Sequence, residues 1–261
     1  MPYLTRSDGC RLYFETHGSP DAPPVVLLEG LGGDIPGWRR NIPHLASRYR
    51  VLAFDFRGNG RSSAPDQPMT LGTFVEDTVA LLDELGLPDA HLYGQSFGGM
   101  VAMQTALTHP DRVRSLVLAA THGGVHGVSK VPAELAKVPK DKPHLALYSP
   151  AFARDHPDHM AEDILVGSQN PQAMHAGRRQ WEAMRAWSGW DRLSEIRCPV
   201  LVLHGTDDRL VSVENAGRLA AAITGAEVVL LEGAGHVYHS EQPDEADRAV
   251  LDFLDRVEAK S

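Results

Sequence analysis

Ser96 lies in a glycine-rich run, Gly94-Gln95-Ser96-Phe97-Gly98-Gly99, which follows a short apolar stretch and precedes a segment with helical spacing. A serine hydroxyl is a weak nucleophile, so it has to project from a sharp turn toward a base before it can attack. Glycines on both sides of such a turn let the strand and the helix pack closely around it. The pattern therefore predicts a nucleophilic serine. The alternative is a glycine-rich turn that only packs the helix on the strand.

Short apolar runs rich in β-forming residues alternate with longer segments of helical periodicity. This alternation is typical of a mostly parallel sheet that helices cover on both faces. The first two runs flank Asp8-Gly9, a strong hairpin signal, and are expected to form an antiparallel edge. We therefore predict an α/β fold with eight strands, Tyr3–Thr5, Cys10–Thr16, Val25–Glu29, Val51–Asp55, His91–Tyr93, Leu116–Ala120, Val200–His204 and Glu227–Leu231.

Apolar residues recur at helical spacing from Leu71 to Leu85, with Thr70 placed as an N-cap and Gly86 just beyond the end. Residues 122–190 contain no convincing strand, and a structureless loop of that length is uncommon in a compact domain. We therefore predict a helical cap at 122–190, inserted into a core domain of residues 1–121 and 191–261. The other predicted helices are Trp38–Tyr49, Gly98–His109, Val213–Ile223 and Pro243–Val257.

These motifs resemble those of the α/β-hydrolase superfamily, and the whole chain is similar to a capped serine esterase-like member of it. The resemblance implies that Ser96 is the nucleophile. Residues 205–208 are similar to the family's GxxD segment and imply that Asp208 is the catalytic acid, with Asp207 as a less favoured alternative that is more typical of a turn. Residues 233–236 are similar to the family's GxGH turn and imply that His236 is the base. All three would lie at the carboxyl ends of strands, where open α/β sheets bind ligands.

The resemblance also implies an oxyanion hole formed by the backbone N–H groups of Leu31 and Phe97. Most relatives of this type carry His-Gly before the first of these donors, whereas this chain has Glu29 in place of the histidine. A carboxylate there would oppose the negative charge that catalysis has to stabilise, so Glu29 must point away, be protonated or be paired with a cation such as Arg57 or Arg61. We interpret Glu29 as structural. A role in tuning the substrate or pH response is the alternative.

Composition excludes several classes of function. With 25 Lys+Arg against 34 Asp+Glu the formal charge is −9, and no basic stripe is present that could bind a nucleic acid. Cys10 and Cys198 are too few for a disulfide framework or a cysteine zinc site. His156 and His159 lack an acidic third ligand in register, so we expect no metal. The first residues contain no apolar region of the kind a secretion signal has. The sequence also contains no run of about 18–20 apolar residues, which a membrane-spanning helix needs, so we expect a cytoplasmic protein without a membrane partner.

The predicted cap is rich in aromatic and methionine side chains. Such side chains at helical spacing more often bury one element against another than bind a ligand. Most of them should therefore pack against the core domain, and a minority should line a mostly apolar pocket. They are Met160, Met174, Trp181, Met184, Trp187 and Trp190.

Taken together, the residues and the resemblance predict a cofactor-free hydrolase that cleaves a small, mainly apolar carboxylic ester or lactone through an acyl-enzyme on Ser96. A serine at this position argues against relatives with an aspartate nucleophile, such as haloalkane dehalogenases and most epoxide hydrolases. One constellation serves several reactions on this fold. The alternatives are therefore carbon–carbon bond hydrolysis, perhydrolysis, acyl transfer, or a ligand receptor that turns over slowly.

Overall fold

Eight strands form one sheet in the computed structural model of the protein, which describes residues 3–124 and 133–260. The predicted α/β fold with an eight-stranded, mostly parallel sheet is confirmed, and most strand ends fall within three residues of the prediction. The strands are β1 Tyr3–Thr5, β2 Arg11–His17, β3 Pro24–Leu28, β4 Arg50–Phe54, β5 Ala90–Gln95, β6 Val113–Ala119, β7 Val200–Gly205 and β8 Glu227–Leu231.

The strand order is β1-β2-β4-β3-β5-β6-β7-β8. The pair β1–β2 is antiparallel, as the hairpin signal predicts; β2–β4 is antiparallel as well, and every other pair is parallel. Strands β3, β5 and β7 are buried along their whole length because helices cover both faces of a parallel sheet. The parallel strands therefore end at one common edge, where the loops that carry the candidate site begin.

Helices of the described residues cover the sheet, and none of them is long and apolar enough to span a membrane. The helix predicted over Trp38–Tyr49 is wrong at its start: a 3₁₀ turn occupies Ile35–Trp38, and the helix begins only at Ile42. Pro43 explains the late start, because a proline has no N–H to donate and fits only in the first turn. The helices are α1 Ile42–Ala46, α2 Leu71–Glu84, α3 Phe97–Thr108, α4 Pro150–Asp155, α5 Pro157–Gly167, α6 Met174–Ala186, α7 Glu214–Ala222, α8 Tyr238–Glu241 and α9 Pro243–Glu258.

Two apolar cores lie on opposite faces of the sheet. One joins the sheet to α2, α3 and α7 and contains the edge-to-face rings of Phe56, Phe74 and Phe97. The other joins it to α1 and α9 and contains Trp38 and Phe253. Phe97, which directly follows Ser96, has its ring fully buried in the first core. The residue after the candidate nucleophile thus fixes the start of α3 to the core.

The segment between β6 and β7 carries α4, α5 and α6, and its only described extended contact is a single bridge between Gly124 and Ser188. Trp187, Trp190 and Met184 pack against the first core and Met160 is buried, as predicted. Met174 and Trp181 are 92% and 50% exposed, so they do not bury the insertion as expected. Both lie on α6, whose buried Gln180 instead donates to the Arg57 carbonyl at 2.9 Å.

Candidate active site

Ser96 sits between the end of β5 and the start of α3 in a conformation that few residues adopt. Its φ is +53° and its ψ is −115°, and its N–H donates to the Ala119 carbonyl at 2.8 Å. A non-glycine residue held in such a region costs about 1–3 kcal/mol and is found mainly at functional sites. From Ala90 to Met103, Ser96 is the one residue that is not buried. The turn therefore presents this side chain at the carboxyl edge of an otherwise buried strand and helix.

Two glycines make this turn possible. A Cβ at Gly94 would lie 2.3 Å from the Gly98 carbonyl oxygen, and a Cβ at Gly98 would lie 2.0 Å from the Leu28 carbonyl oxygen. Both distances are well below van der Waals contact with backbone atoms that cannot move away cheaply. The glycines are therefore required for the helix to pack on the strand, which is the reason inferred from the sequence.

Asp208 lies in the turn after β7, and its side chain is fully buried. Its Oδ1 accepts from the N–H groups of Leu210 and Val211 at 2.8 and 2.9 Å, and its Oδ2 lies 2.7 Å from His236 Nδ1. Burial alone raises the pKa of the Asp208 carboxyl, but the neighbouring His236 and His204 rings outweigh it and hold that pKa well below its usual value. The exposed Asp207 lies outside this arrangement.

His236 is buried in the loop after β8, and its Nδ1 is engaged by Asp208. Its carbonyl accepts from Gln95 Nε2 at 3.2 Å, which ties the histidine backbone to the residue before Ser96. Among the described residues the His236 ring forms no other hydrogen bond, so it is not bonded to the Ser96 hydroxyl in this structure. In unliganded enzymes the bond between nucleophile and base is often loose until substrate binds.

The loop after β3 packs directly against the Ser96 turn. A Cβ at Gly30 would lie 2.4 Å from Gln95 Oε1 and 3.4 Å from Ser96 Cβ. Leu31 is 37% exposed in this loop. The Phe97 N–H is the first of α3, where no carbonyl of the helix can accept it. The two backbone donors expected from the sequence therefore belong to segments that meet beside Ser96.

The β6–β7 insertion approaches both sides of this arrangement. Gln172 Oε1 lies 3.3 Å from the position of a Cβ on Gly32, in the loop after β3. The Ser149 N–H lies 2.4 Å from the position of a Cβ on Gly235, the residue before His236. Arg209, next to Asp208, donates to the Tyr148 carbonyl at 2.7 Å. The insertion thus contacts the loops that follow β3, β7 and β8.

The sequence as a whole matches a known family. Residues 23–179 match the family model described as alpha/beta hydrolase fold, which is more than half of the chain. The protein is an α/β-hydrolase. Residues 172–260 match a second model, described as TAP-like protein.

Several known proteins are similar to this α/β-hydrolase over nearly its full length. It is 30% identical to "Putative carbamate hydrolase RutD" of Azorhizobium caulinodans, over 99% of this chain and 100% of the relative. The structure of a hydrolase from Pseudomonas aeruginosa has a TM-score of 0.85 at 30% identity and covers 97% of each chain. The enol-lactonase from Burkholderia xenovorans has a TM-score of 0.85 at 28% identity, over 97% of this chain and 99% of that one.

Glu29 of this hydrolase is buried inside the loop that carries Leu31. Its Oε1 accepts from the Gly30 N–H at 2.9 Å, and its Oε2 has no hydrogen-bond partner in the described part of the chain. The side chain fills the space left by two glycines: a Cβ at Gly33 would lie 2.2 Å from Glu29 Cγ, and one at Gly37 would lie 2.7 Å from Oε2. Glu29 is thus an internal support of the loop.

Burial raises the pKa of Glu29 to about 7, and the nearby Asp34 and Asp55 carboxylates add to this effect. The Gly30 N–H and the His236 ring oppose it but do not outweigh it. The negative charge of an ionised Glu29 in turn helps to raise the pKa values of the buried Tyr93 and Tyr238 phenols. Near neutral pH, Glu29 therefore exists in both its protonated and its ionised form.

The pairing of Glu29 with Arg57 or Arg61, one of the three options weighed for this residue, does not occur. Arg57 forms two hydrogen bonds of 2.6 and 2.7 Å with the fully buried Asp77. Arg61 donates to Glu15 at 2.8 Å. A buried carboxylate that matches the guanidinium fork in two places outcompetes a more distant partner. Both arginines are thus committed elsewhere, and the raised pKa of Glu29 favours its protonated form below about pH 7.

Sequence reasoning missed three residues that support the site. Gln95 links the Ser96 turn to His236, and Thr121 Oγ1 donates to the Ser96 carbonyl at 2.6 Å. His204 Nε2 lies 3.3 Å from Asp208 Oδ2. A signal for His204 was available, because a buried histidine at the carboxyl end of β7 lies at the edge where such sheets bind ligands.

The two histidines weighed as metal ligands have other partners. His159 Nε2 lies 2.8 Å from Ser240 Oγ, and the His156 ring packs against Phe152 with 4.5 Å between ring centroids. Within residues 3–124 and 133–260, no group of three or more His, Cys, Asp or Glu side chains is arranged to hold a metal ion.

Proposed function

We propose that this α/β-hydrolase cleaves a small carboxylic ester or lactone through an acyl-enzyme on Ser96. One observation carries the proposal: the strained turn of the partly buried Ser96 is tied through Gln95 to His236, whose Nδ1 lies 2.7 Å from the buried Asp208. This is the chain order and chemical logic of a serine, a base and an orienting acid.

In the first half of the reaction, the base His236 takes the Ser96 hydroxyl proton on Nε2 while Oγ attacks the substrate carbonyl carbon. Asp208, whose low pKa keeps it ionised, holds the proton on Nδ1 and stabilises the imidazolium. The backbone N–H groups of Leu31 and Phe97 bind the oxygen that becomes negative. The tetrahedral intermediate then collapses, and the leaving alkoxide takes the proton from His236 Nε2.

In the second half, water replaces the departed alcohol. His236 Nε2 removes a proton from that water, the resulting hydroxide attacks the acyl carbonyl, and the same two N–H groups bind the second oxyanion. Collapse of this intermediate breaks the bond to Ser96 Oγ, which receives the proton back from His236. The acid product leaves and the free enzyme is restored. These residues supply every proton transfer in the cycle.

The names of similar proteins support a substrate in which a carbonyl carbon is attacked. One similar structure is named an enol-lactonase, and a lactone is an internal ester that the same cycle opens. A carbamate is the second candidate, because relatives at 30–32% identity carry the name carbamate hydrolase. Carbamate cleavage follows the same steps with a carbamoyl group on Ser96.

We place the insertion of residues 122–190 over this site as a helical cap on a core domain of residues 1–121 and 191–261. Two contacts support the proposal. Gln172 approaches Gly32 in the loop after β3, and Ser149 approaches Gly235 in the turn before His236. The stretch 125–132, which the cap prediction includes, lies outside the described residues. A cap in this position would exclude bulk water from the acyl-enzyme and limit the substrate to small molecules.

The test measures hydrolysis of p-nitrophenyl acetate and butyrate by the parent enzyme and by Ser96→Ala. We expect the variant to lose at least about 10³-fold in kcat while it remains folded by circular dichroism. A matched ester, lactone and carbamate of equal acyl length then rank the bond classes. Equal rates for parent and variant would remove Ser96 from the mechanism, and tight binding with little product would favour the receptor alternative.

A further inference from the structure

His204 is a buried histidine near the end of β7, four residues before Asp208. Its Nε2 lies 3.0 Å from the Val211 carbonyl oxygen and 3.3 Å from Asp208 Oδ2. The side chains of His204 and Asp208 are both fully buried. The catalytic acid therefore has two histidines beside it, and the mechanism above uses only one of them.

The contacts of His204 determine which nitrogen carries its hydrogen. Both atoms near Nε2 are oxygens that accept hydrogen bonds, so Nε2 must be the donor. Nδ1 is buried without a partner among the described residues, and a second N–H at that position would have no acceptor. His204 therefore presents a single N–H, directed at Val211 O with Asp208 Oδ2 as its second contact.

These contacts close a small ring of interactions around the acid. Asp208 Oδ1 accepts from the Val211 N–H at 2.9 Å, and the carbonyl of the same Val211 accepts from His204. His204 then returns to Asp208 through Oδ2. The ring fixes the turn after β7 to the rigid end of the strand, which limits rotation of the carboxylate that has to face His236 Nδ1.

We propose that His204 is a positioning residue that holds Asp208 Oδ2 in line with His236 Nδ1. This inference rests on the proposed function, in which the imidazolium of His236 needs an aligned carboxylate. His204 acts only through Asp208 and touches neither substrate nor Ser96. Without its N–H, Val211 and Asp208 Oδ2 lose a shared partner and the carboxylate can turn away from the base.

The test compares His204→Leu, which removes the donor, with His204→Gln, whose amide nitrogen reaches about the position of Nε2. His91→Leu is the matched control, because His91 is equally buried in a strand but lies toward the amino end of β5, bonded to Ser115 and Glu258. We expect His204→Leu to lower kcat about 10–100-fold with KM nearly unchanged, since a misplacement of about 1 Å costs this much. His204→Gln should retain most of the activity.

A second readout reports on the Asp208–His236 contact without any substrate. The proton on His236 Nδ1 gives a downfield NMR resonance, which should shift or broaden in His204→Leu and stay in place in His204→Gln and His91→Leu. If His204→Leu is unfolded, His204→Asn replaces it, because its shorter amide cannot reach Val211 O.

Each outcome separates this inference from the proposed function. An unshifted Nδ1 resonance in a folded His204→Leu or His204→Asn overturns the inference, and so does an unchanged kcat. A lowered kcat with an unshifted resonance also overturns it, because His204 would then act by another route. Hydrolysis that survives in Ser96→Ala overturns the proposed function but leaves the resonance test of His204 intact.

Discussion

Two buried carboxyl groups beside the candidate site have opposite environments. Asp208 accepts two backbone N–H groups on one oxygen and has the His236 and His204 rings against the other. Glu29 accepts a single N–H on one oxygen, and its other oxygen has no partner among the described residues. The pKa of Asp208 is held well below its usual value, whereas that of Glu29 is raised to about 7.

Burial acts in the same direction on both groups, because removal from water always disfavours the charged form of a carboxyl. The difference comes from the number of donors that face each one. Four contacts keep Asp208 ionised, as an orienting acid requires, and one contact leaves Glu29 largely neutral at slightly acid pH. Neutrality of Glu29 suits the proposed mechanism, since a negative charge beside the loop that carries Leu31 would oppose the charge formed during attack.

The largest expected effect comes from removing the charge of Asp208, the buried carboxyl with several hydrogen-bond donors around it. Asp208→Asn should lower kcat by about 10³–10⁴-fold, because the neutral amide favours the wrong tautomer of His236. Asp207→Asn is the matched control, since Asp207 is exposed and adjacent. Steady-state kinetics on one ester decide between them. A larger loss in Asp207→Asn would assign the acid to the neighbouring position.

A smaller effect is expected when Glu29, the buried carboxyl with a single hydrogen-bond donor, is made permanently neutral. Near pH 6, Glu29→Gln should stay within about tenfold of the parent in kcat/KM, because the amide can still accept from the Gly30 N–H. As pH rises through about 7, the parent should lose activity relative to the variant, since ionised Glu29 opposes the oxyanion. The ratio of the two rates is measured from pH 6 to pH 9. A constant ratio would show that Glu29 does not titrate in this range.

A third effect is on stability rather than on rate, and its sign follows from the same pKa of Glu29. A carboxyl with a raised pKa in the folded state stabilises the fold at low pH, and this contribution is lost as pH rises from about 4 through about 7. Relative to the parent, Glu29→Gln should therefore gain of order 3 kcal/mol in free energy of unfolding across this range and no more above it. Urea unfolding at pH 5 and pH 8 measures the difference. An equal difference at both pH values would place the pKa of Glu29 outside the interval.

The strands were predictable because each is a short apolar run that must be buried on both faces, as in β3 and β7. The Ser96 turn was predictable for a related reason. Its glycines are required because the helix packs so closely on the strands that a Cβ would collide with backbone atoms. These features depend on local sequence. The start of α1 also had a local signal, in Pro43, that periodicity alone did not take into account.

The partners of buried charges were not predictable from the sequence. Arg57 was a candidate partner of Glu29, but it pairs with Asp77, which reaches it from α2 only when the helix packs on the sheet. The contact of His204 with Asp208 likewise depends on the turn that Val211 closes. Tertiary packing decides such pairs. Several charged residues compete for each partner, and the sequence does not show which of them lies nearest in the folded chain.

The most direct test of the central claim is to label the nucleophile covalently with a reagent that phosphonylates an activated serine and releases fluoride. The protein is incubated with a fluorophosphonate, and intact and peptide mass spectrometry locate the adduct, with Ser96→Ala treated in parallel. The proposed mechanism predicts one adduct per chain, on the peptide that contains Ser96, and none on the variant. An adduct on another residue, or equal labelling of parent and variant, would contradict it.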